Sequence, residues 1–242
     1  MVKWLDRTPR EVIAPLLRGR EIRASRPLLE DIKPELGDFL GRFGRYQLTI
    51  LQLAGVALRD APRPEDAAQL VRVVRIVSQR FLGVETIAEN RGFTLVEQMR
   101  PHTHSSARFA RDARGADWYE LLLTLYVATG LLNDFYVAFA AGLEDEPREE
   151  VLKVIRLESG HEVLSSLLRQ AMDDNPRLAS RLALWGRRLV GDTLLEMYAA
   201  MEGRDDQSES RGSDSEVARI EPAFASIVAE HTRRMDSLGL TS

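Results

Sequence analysis

The chain has 242 residues, of which 44% are hydrophobic and 29% are charged, and its formal net charge is −4. This composition is typical of a globular protein with a sizeable core. The negative net charge means that the chain as a whole is not basic enough to attract nucleic acid, although a local basic patch is still possible. Because there is no cysteine, disulfides, thiolate metal sites and cysteine nucleophiles are excluded, and metal ligands would have to be His, Asp or Glu.

The beginning of the chain carries scattered charges and lacks the apolar segment of a secretory signal. No apolar run reaches the roughly 18 residues that a membrane span requires. We therefore expect a cytoplasmic protein without a membrane partner.

Helix signals recur along the chain and strand signals do not. Residues 1–40 are assigned to a short N-terminal helical extension, which is interrupted at Pro34. Apolar residues at helical spacing predict a first long helix over about 35–59 and a second over about 65–91. The proline-rich turn between them joins the two helices into an antiparallel hairpin.

A short helix is predicted to begin after Thr94, which forms a capping-box pattern with Glu97. His102 and His104 follow in a connection that we expect to be an exposed loop, where they could supply at most half of a metal site. Asp117 is predicted to cap a third long helix that ends at about residue 141, and its nearly continuous apolar sequence makes it the most buried helix.

A fourth helix is predicted from Pro147 to about Met172, and a fifth from about residue 176 to 202. The polar stretch 203–215 is predicted to be a flexible loop, and a last helix covers about 216–237. Two hairpins of similar length fit the ferritin-like plan. The predicted fold is therefore all-α: a ferritin-like antiparallel four-helix bundle over residues 41–242, with additional C-terminal helices and the N-terminal extension.

Three polar side chains are predicted to meet inside the bundle. Glu158 and His161 have the Glu-x-x-His spacing that places both on one helix face. Antiparallel pairing would bring Asp134 of the third helix within about one turn of Glu158. Inward carboxylates and histidines are how di-iron and di-manganese sites are built in helical bundles. Hydrogen bonding among the three, or pairing with an arginine, is the alternative interpretation.

Four segments carry a resemblance to a known family. From about Tyr46 to Leu240 the chain resembles the ferritin-like bacterial family named for tRNA-(2-methylthio-isopentenyladenosine) hydroxylase, MiaE. The segments are TGLLNDFYVAFAAGL (129–143), ESGHEVL (158–164), NPRLASRLALWGRRLVGD (175–192) and EHTRRMDSLGL (230–240). The resemblance implies oxygen-dependent hydroxylation of a modified adenosine in tRNA at a di-iron centre.

The chain departs from this family at the implied ligand positions. The first glutamate falls on Gln47, the second-helix Glu-x-x-His pair falls near Val77 and Arg80, and a further acidic position falls on Thr129. Two divalent cations in a dry bundle are normally balanced by about four carboxylates, but Asp134 and Glu158 supply two.

Arg80 adds a permanent positive charge to the same interior. We therefore predict a degenerate metal site without a complete di-iron centre, in which Arg80 pairs with Glu158 or Asp134. A side chain that extends from the edge of the apolar stripe towards solvent is the alternative for Arg80.

Three functions remain open. The first is a non-catalytic binding or interaction protein without metal, which binds a protein partner or forms an oligomer. The second is an oxygen-dependent hydroxylase with an altered site, such as a single iron or manganese ion on Asp134, Glu158 and His161. The third is a tRNA-binding protein without chemistry.

A basic ridge would serve tRNA binding, although solvated helix surfaces have the same appearance. His231 is expected to pack or to lie at the surface. The arginines that could form the ridge are Arg72, Arg75, Arg177, Arg181, Arg187, Arg188, Arg233 and Arg234.

Overall fold

A computed structural model describes residue 29, residues 32–201 and residues 214–240 of the chain. The described residues contain α-helices, short 3-10 turns and no strand. The helices are α1 (Leu36–Arg59), α2 (Pro64–Asn90), α3 (Leu95–Met99), α4 (Thr103–Asp112), α5 (Trp118–Phe139), α6 (Asp145–Ile155), α7 (His161–Asp174), α8 (Arg177–Met201) and α9 (Asp214–Ser237). The all-α bundle prediction is confirmed.

Helices α1 and α2 form the first hairpin, with bounds within one residue of the predicted ones. The hairpin turn is fixed by Arg63, whose guanidinium binds both carboxylate oxygens of Asp66 at 2.9 and 3.0 Å. Asp66 lies in the first turn of α2, where a carboxylate also interacts favourably with the helix dipole. The predicted apolar stripe of α2 supplies the buried residues Leu70, Val73, Val77, Val84 and Ala88.

Helix α5 is the centre of the bundle. It contacts α1, α7, α8 and α9, and every residue from Glu120 to Leu132 is buried. In the described chain, Trp118–Gly142 is the one helix long and apolar enough to cross a membrane, and 78% of its apolar window is buried inside the bundle. A helix that is apolar nearly all round and mostly covered by protein is typical of a bundle core.

The predicted fourth helix is wrong in one respect, because it is two helices. Helix α6 ends at Ile155, helix α7 begins at His161, and residues 156–160 connect them. Gly160 has a φ of +76°, a left-handed conformation that glycine adopts without the steric penalty of a side chain. Glu158 lies in this connection and is exposed, so Glu158 and His161 do not share a helix face.

The described residues before α1 pack on the bundle. Leu29 is buried in the core. The main chain of Ile32 contacts Gly142 closely, since a Cβ atom added at Gly142 would lie 1.7 Å from the Ile32 oxygen. Helix α1 runs through the predicted boundary at residue 40. The helices predicted before Pro34 and most of the loop predicted over 203–215 lie outside the described residues.

Candidate site between the helical hairpins

Arg80 is the largest fully buried side chain in the described chain, with 1% of its surface exposed. Its Nη2 donates to the side-chain oxygen of Asn133 in α5 at 2.5 Å and to the main-chain oxygen of Ile155 in α6. The guanidinium therefore joins three helices inside the bundle. The alternative in which Arg80 extends to solvent is wrong.

The oxygen of Ile155 is the last carbonyl of α6, and Arg80 satisfies it. The last carbonyls of a helix have no partner within the helix and carry the negative end of its dipole. Arg80 supplies both a donor and a positive charge at that point, where α6 stops instead of continuing towards Glu158. Burial lowers the pKa of Arg80, yet a guanidinium keeps its proton in proteins.

The other positions that the resemblance assigned to ligands are also buried. Gln47 is 1% exposed, and Val77 and Thr129 are each 2% exposed. The Thr129 hydroxyl donates to the Leu125 oxygen of its own helix at 2.6 Å. An amide, an alkyl group, a hydroxyl and the Arg80 guanidinium thus occupy the positions that the resemblance assigns to metal ligands.

Asp134 pairs with an arginine other than the predicted one. Its Oδ2 lies 2.6 Å from Nη2 of Arg234 in α9, and neither Asp134 nor Glu158 forms the ion pair that was predicted with Arg80. The two residues of this pair are 100 positions apart in the chain, and no local sequence signal points to it.

The structure does not bring Asp134, Glu158 and His161 together. The helix break leaves Glu158 at the surface, while His161 faces α5. In the part of the chain that the structure describes, no three His, Asp or Glu side chains are arranged to hold a metal ion.

His161 and Arg234 converge on Gly130 of α5. A Cβ at Gly130 would lie 2.9 Å from both His161 Nε2 and Arg234 Nε, so the absence of a side chain there permits the approach of both. The His161 ring also contacts the Tyr126 ring, with centroids 4.2 Å apart. Neither His161 Nε2 nor Arg234 Nε has a hydrogen-bond partner within the described part of the chain.

The two histidines of this region are held neutral. Burial lowers the pKa of His161 to about 4, and the positive charges of Arg234 and Arg80 act in the same direction. Burial, Arg234 and His161 likewise lower the pKa of His231 to about 4. His231 is 3% exposed and therefore has a packing role, one of the two that were expected for it.

His102 was wrongly expected on an exposed loop. It ends a 3-10 turn, is buried, and places Nε2 3.1 Å from Oδ1 of Asp38 in α1. The other oxygen of Asp38 lies 2.7 Å from Nε of Arg42. Burial raises the pKa of Asp38, but the hydrogen bonds from His102 and Arg42 outweigh it and lower the pKa overall. His104 is exposed.

Four of the eight arginines considered for a basic ridge lie within 4 Å of a described acidic side chain, and the fourth of these pairs is that of Arg234 with Asp134. Arg181 lies 2.5 Å from Asp117, Arg188 lies 3.9 Å from Asp192, and Arg233 pairs with Glu230. These pairs neutralise much of the positive charge that would face a nucleic acid. Arg72 and Arg75 are exposed on the outer face of α2 and form no ion pair with a described residue.

A family model described as a ferritin-like domain of actinomycetes matches residues 34–209. The chain belongs to this ferritin-like family. The match covers α1 to α8, which include Gln47, Arg80 and His161, whereas α9, with Arg234 and His231, lies outside it. No curated protein matches the chain.

The ferritin-like fold implies a paired metal centre, and the residues of this chain do not fit one. Such a centre takes carboxylates and histidines from four facing helices. Here α1 offers Gln47, α2 offers Val77 and Arg80, and the carboxylate of Asp134 in α5 is bound to Arg234. These positions therefore offer an amide, an alkyl group and a guanidinium cation in place of carboxylates and imidazoles, and such a set disfavours metal ions.

Proposed function

We propose that this protein is a ferritin-like family member with a degenerate metal site, which acts as a non-catalytic binding or interaction protein. The observation that carries the proposal is the buried guanidinium of Arg80 between the two hairpins. The resemblance to MiaE implies a histidine ligand of a metal centre near this position, and an arginine there supports the proposal.

Electrostatics support this proposal. A divalent ion about 6 Å from a guanidinium is repelled by roughly 5 kcal/mol at an effective dielectric constant of about 20. Several free carboxylates would have to offset that repulsion for each ion. Asp134 already pairs with Arg234, and Glu158 is exposed.

Metal stoichiometry tests the proposal. We expect elemental analysis of the native protein, and of protein incubated with excess iron(II) or manganese(II) and then desalted, to give less than about 0.1 metal per chain. An established di-iron protein carried through the same steps is the positive control. Two tightly held metals per chain would refute the proposal.

The alternative is an iron- and oxygen-dependent hydroxylase with an altered site. One metal per chain that is lost in both the Asp134→Asn and the His161→Gln variants would support this alternative. A metal that both variants retain would indicate adventitious surface binding.

A relationship to the MiaE branch adds tRNA as a candidate partner in the cytoplasm. The four segments that resemble MiaE support it, together with exposed Arg72 and Arg75 on α2. If tRNA is the partner, we expect its binding to weaken as the salt concentration rises. In an Arg72→Gln/Arg75→Gln double variant, the number of salt ions released on binding should decrease by about one to two. A double variant with wild-type salt dependence would remove this face of α2 from consideration.

A further inference from the structure

The interior next to Arg80 contains hydrogen-bond donors without protein acceptors. Gln47 Nε2 and Arg80 Nε are both buried and donate to no atom of the residues that the structure describes. Each belongs to a side chain that is 1% exposed. Unsatisfied buried donors are rare in folded proteins, and each one calls for a specific explanation.

These two donors belong to one region of the bundle. Since α1 and α2 are antiparallel and joined by a short turn, Gln47 lies at the level of Val77, about one helical turn from Arg80. Tyr46, next to Gln47, interacts electrostatically with the same guanidinium. Burial raises the pKa of Tyr46, and the positive charge of Arg80 has a smaller, opposite effect.

The charge of Arg80 also has no carboxylate partner among the described residues. Both acceptors of its Nη2 are neutral, namely the Asn133 amide oxygen and the Ile155 carbonyl. A buried charge without a counter-charge is unfavourable. A water molecule would satisfy a donor and leave the charge uncompensated, whereas an anion would do both.

We infer that Arg80 and Gln47 form a binding site for a small monovalent inorganic anion of the halide class, at the position where other ferritin-like proteins bind cations. The anion accepts hydrogen bonds from Arg80 Nε and Gln47 Nε2 and neutralises the guanidinium. A small ion is required because the surrounding core is packed and because multivalent oxyanions lose far more hydration energy on burial. The inference rests on the proposed function, since bound metal cations would repel Arg80 and remove the need for an anion.

Thermal unfolding in different sodium salts tests the site. The full-length protein is unfolded in chloride, in bromide and in gluconate at equal ionic strength, because gluconate is too large to enter the core. We expect the halides to raise Tm by about 5–10 °C relative to gluconate at concentrations near 100 times Kd. Equal Tm values in all three salts would overturn the inference.

Matched variants assign the effect to the site. Arg80→Met should abolish the halide-specific rise, and Gln47→Met should reduce it by at least half. Arg75→Met removes an exposed arginine from the same helix and should leave the rise unchanged. A rise that persists in both Arg80→Met and Gln47→Met would overturn the inference.

Crystals grown in sodium bromide give a test that needs no variant and so remains available if Arg80→Met does not fold. We expect an anomalous peak about 3.3 Å from Arg80 Nε. If the anomalous map shows no peak at this position, the inference is overturned, whether or not bromide is bound elsewhere. Metal analysis separates this result from the proposed function: two bound metals refute that function, whereas a metal-free protein without a halide effect refutes the anion site alone.

Discussion

The guanidinium of Arg80 donates a hydrogen bond to the main-chain oxygen of Ile155, a residue 75 positions away in the chain. Ile155 ends α6, so the bond connects the first hairpin to the point at which the next long helical segment is interrupted. One side chain thus places a cation in the bundle interior and marks the end of α6, after which Glu158 is left at the surface.

Replacing Arg80 with alanine should destabilise the protein strongly. The substitution leaves a cavity and removes the donor from the Ile155 and Asn133 oxygens. We expect the free energy of unfolding to fall by about 2–4 kcal/mol, measured by urea denaturation. Arg75→Ala, an exposed position on the same helix, should change it by less than about 0.5 kcal/mol. Similar losses for the two variants would contradict the role assigned to Arg80.

Gly130→Ala should disturb the contact between His161 and Arg234. The new Cβ would lie 2.9 Å from a nitrogen of each, so at least one side chain must move. We expect a loss of about 1–3 kcal/mol in urea denaturation, and a rise of the His161 pKa from about 4 towards 6.5, followed by NMR titration.

Gly55→Ala is the matched control for this substitution. Gly55 is an exposed residue inside α1, and its Cβ would have no neighbour within 4 Å. Alanine is preferred to glycine in a helix, so this variant should be neutral or more stable by up to about 1 kcal/mol. A Gly130→Ala protein that behaves like Gly55→Ala would show that His161 and Arg234 are not packed against Gly130.

Stability should fall as the pH decreases from about 6.5 to 4. His161 and His231 have pKa values of about 4 in the folded protein and about 6.5 in the unfolded chain. The unfolded state therefore binds more protons in this window, and the stabilisation present above pH 6.5 is lost as the pH falls. Each histidine contributes about 2–3 kcal/mol to the loss, less when both titrate together.

Urea denaturation at pH 7 and pH 5 measures this dependence. His161→Gln and His231→Gln should each make the difference in unfolding free energy between the two pH values smaller. His104→Gln, at an exposed position, should leave the difference as in the wild type. If the three variants show the same pH dependence as the wild type, acidic residues and not the histidines control acid stability.

Asp117→Ala should weaken the start of α5. The Asp117 side chain accepts a hydrogen bond from the main-chain N–H of Glu120 at 2.9 Å, which confirms the predicted cap. We expect a loss of about 1–2 kcal/mol by urea denaturation. Thr94 begins α3 without any side-chain capping bond, contrary to its predicted capping box, and Thr94→Ala should change stability by less than about 0.5 kcal/mol. Equal effects would mean that the Asp117 bond contributes little.

The local part of the fold could be predicted from the sequence. Helical spacing of apolar residues gave α1 and α2 nearly to the residue, and the apolar sequence of α5 correctly indicated the central helix. These features depend on residues a few positions apart. The burial of Val77 followed from the same stripe.

The features that determine the site depend on distant residues and could not be predicted in the same way. The segment between α6 and α7 contains a local signal in Gly160, but the end of α6 at Ile155 coincides with the hydrogen bond from the distant Arg80. Arg234 was assigned to a possible surface ridge because its partner, Asp134, is 100 residues away. His102 was placed in an exposed loop because nothing local indicates that it packs against Asp38.

The interruption between α6 and α7 also sets a requirement for protein engineering. Glutamates at positions 47 and 77 and a histidine at position 80 would restore donor atoms to the first hairpin, but Glu158 would still face solvent. A redesigned oxygen-activating enzyme would need an unbroken helix through 156–160, and hence a residue other than glycine at position 160. Building such a metal site on this scaffold is therefore a problem of backbone redesign as well as of ligand substitution.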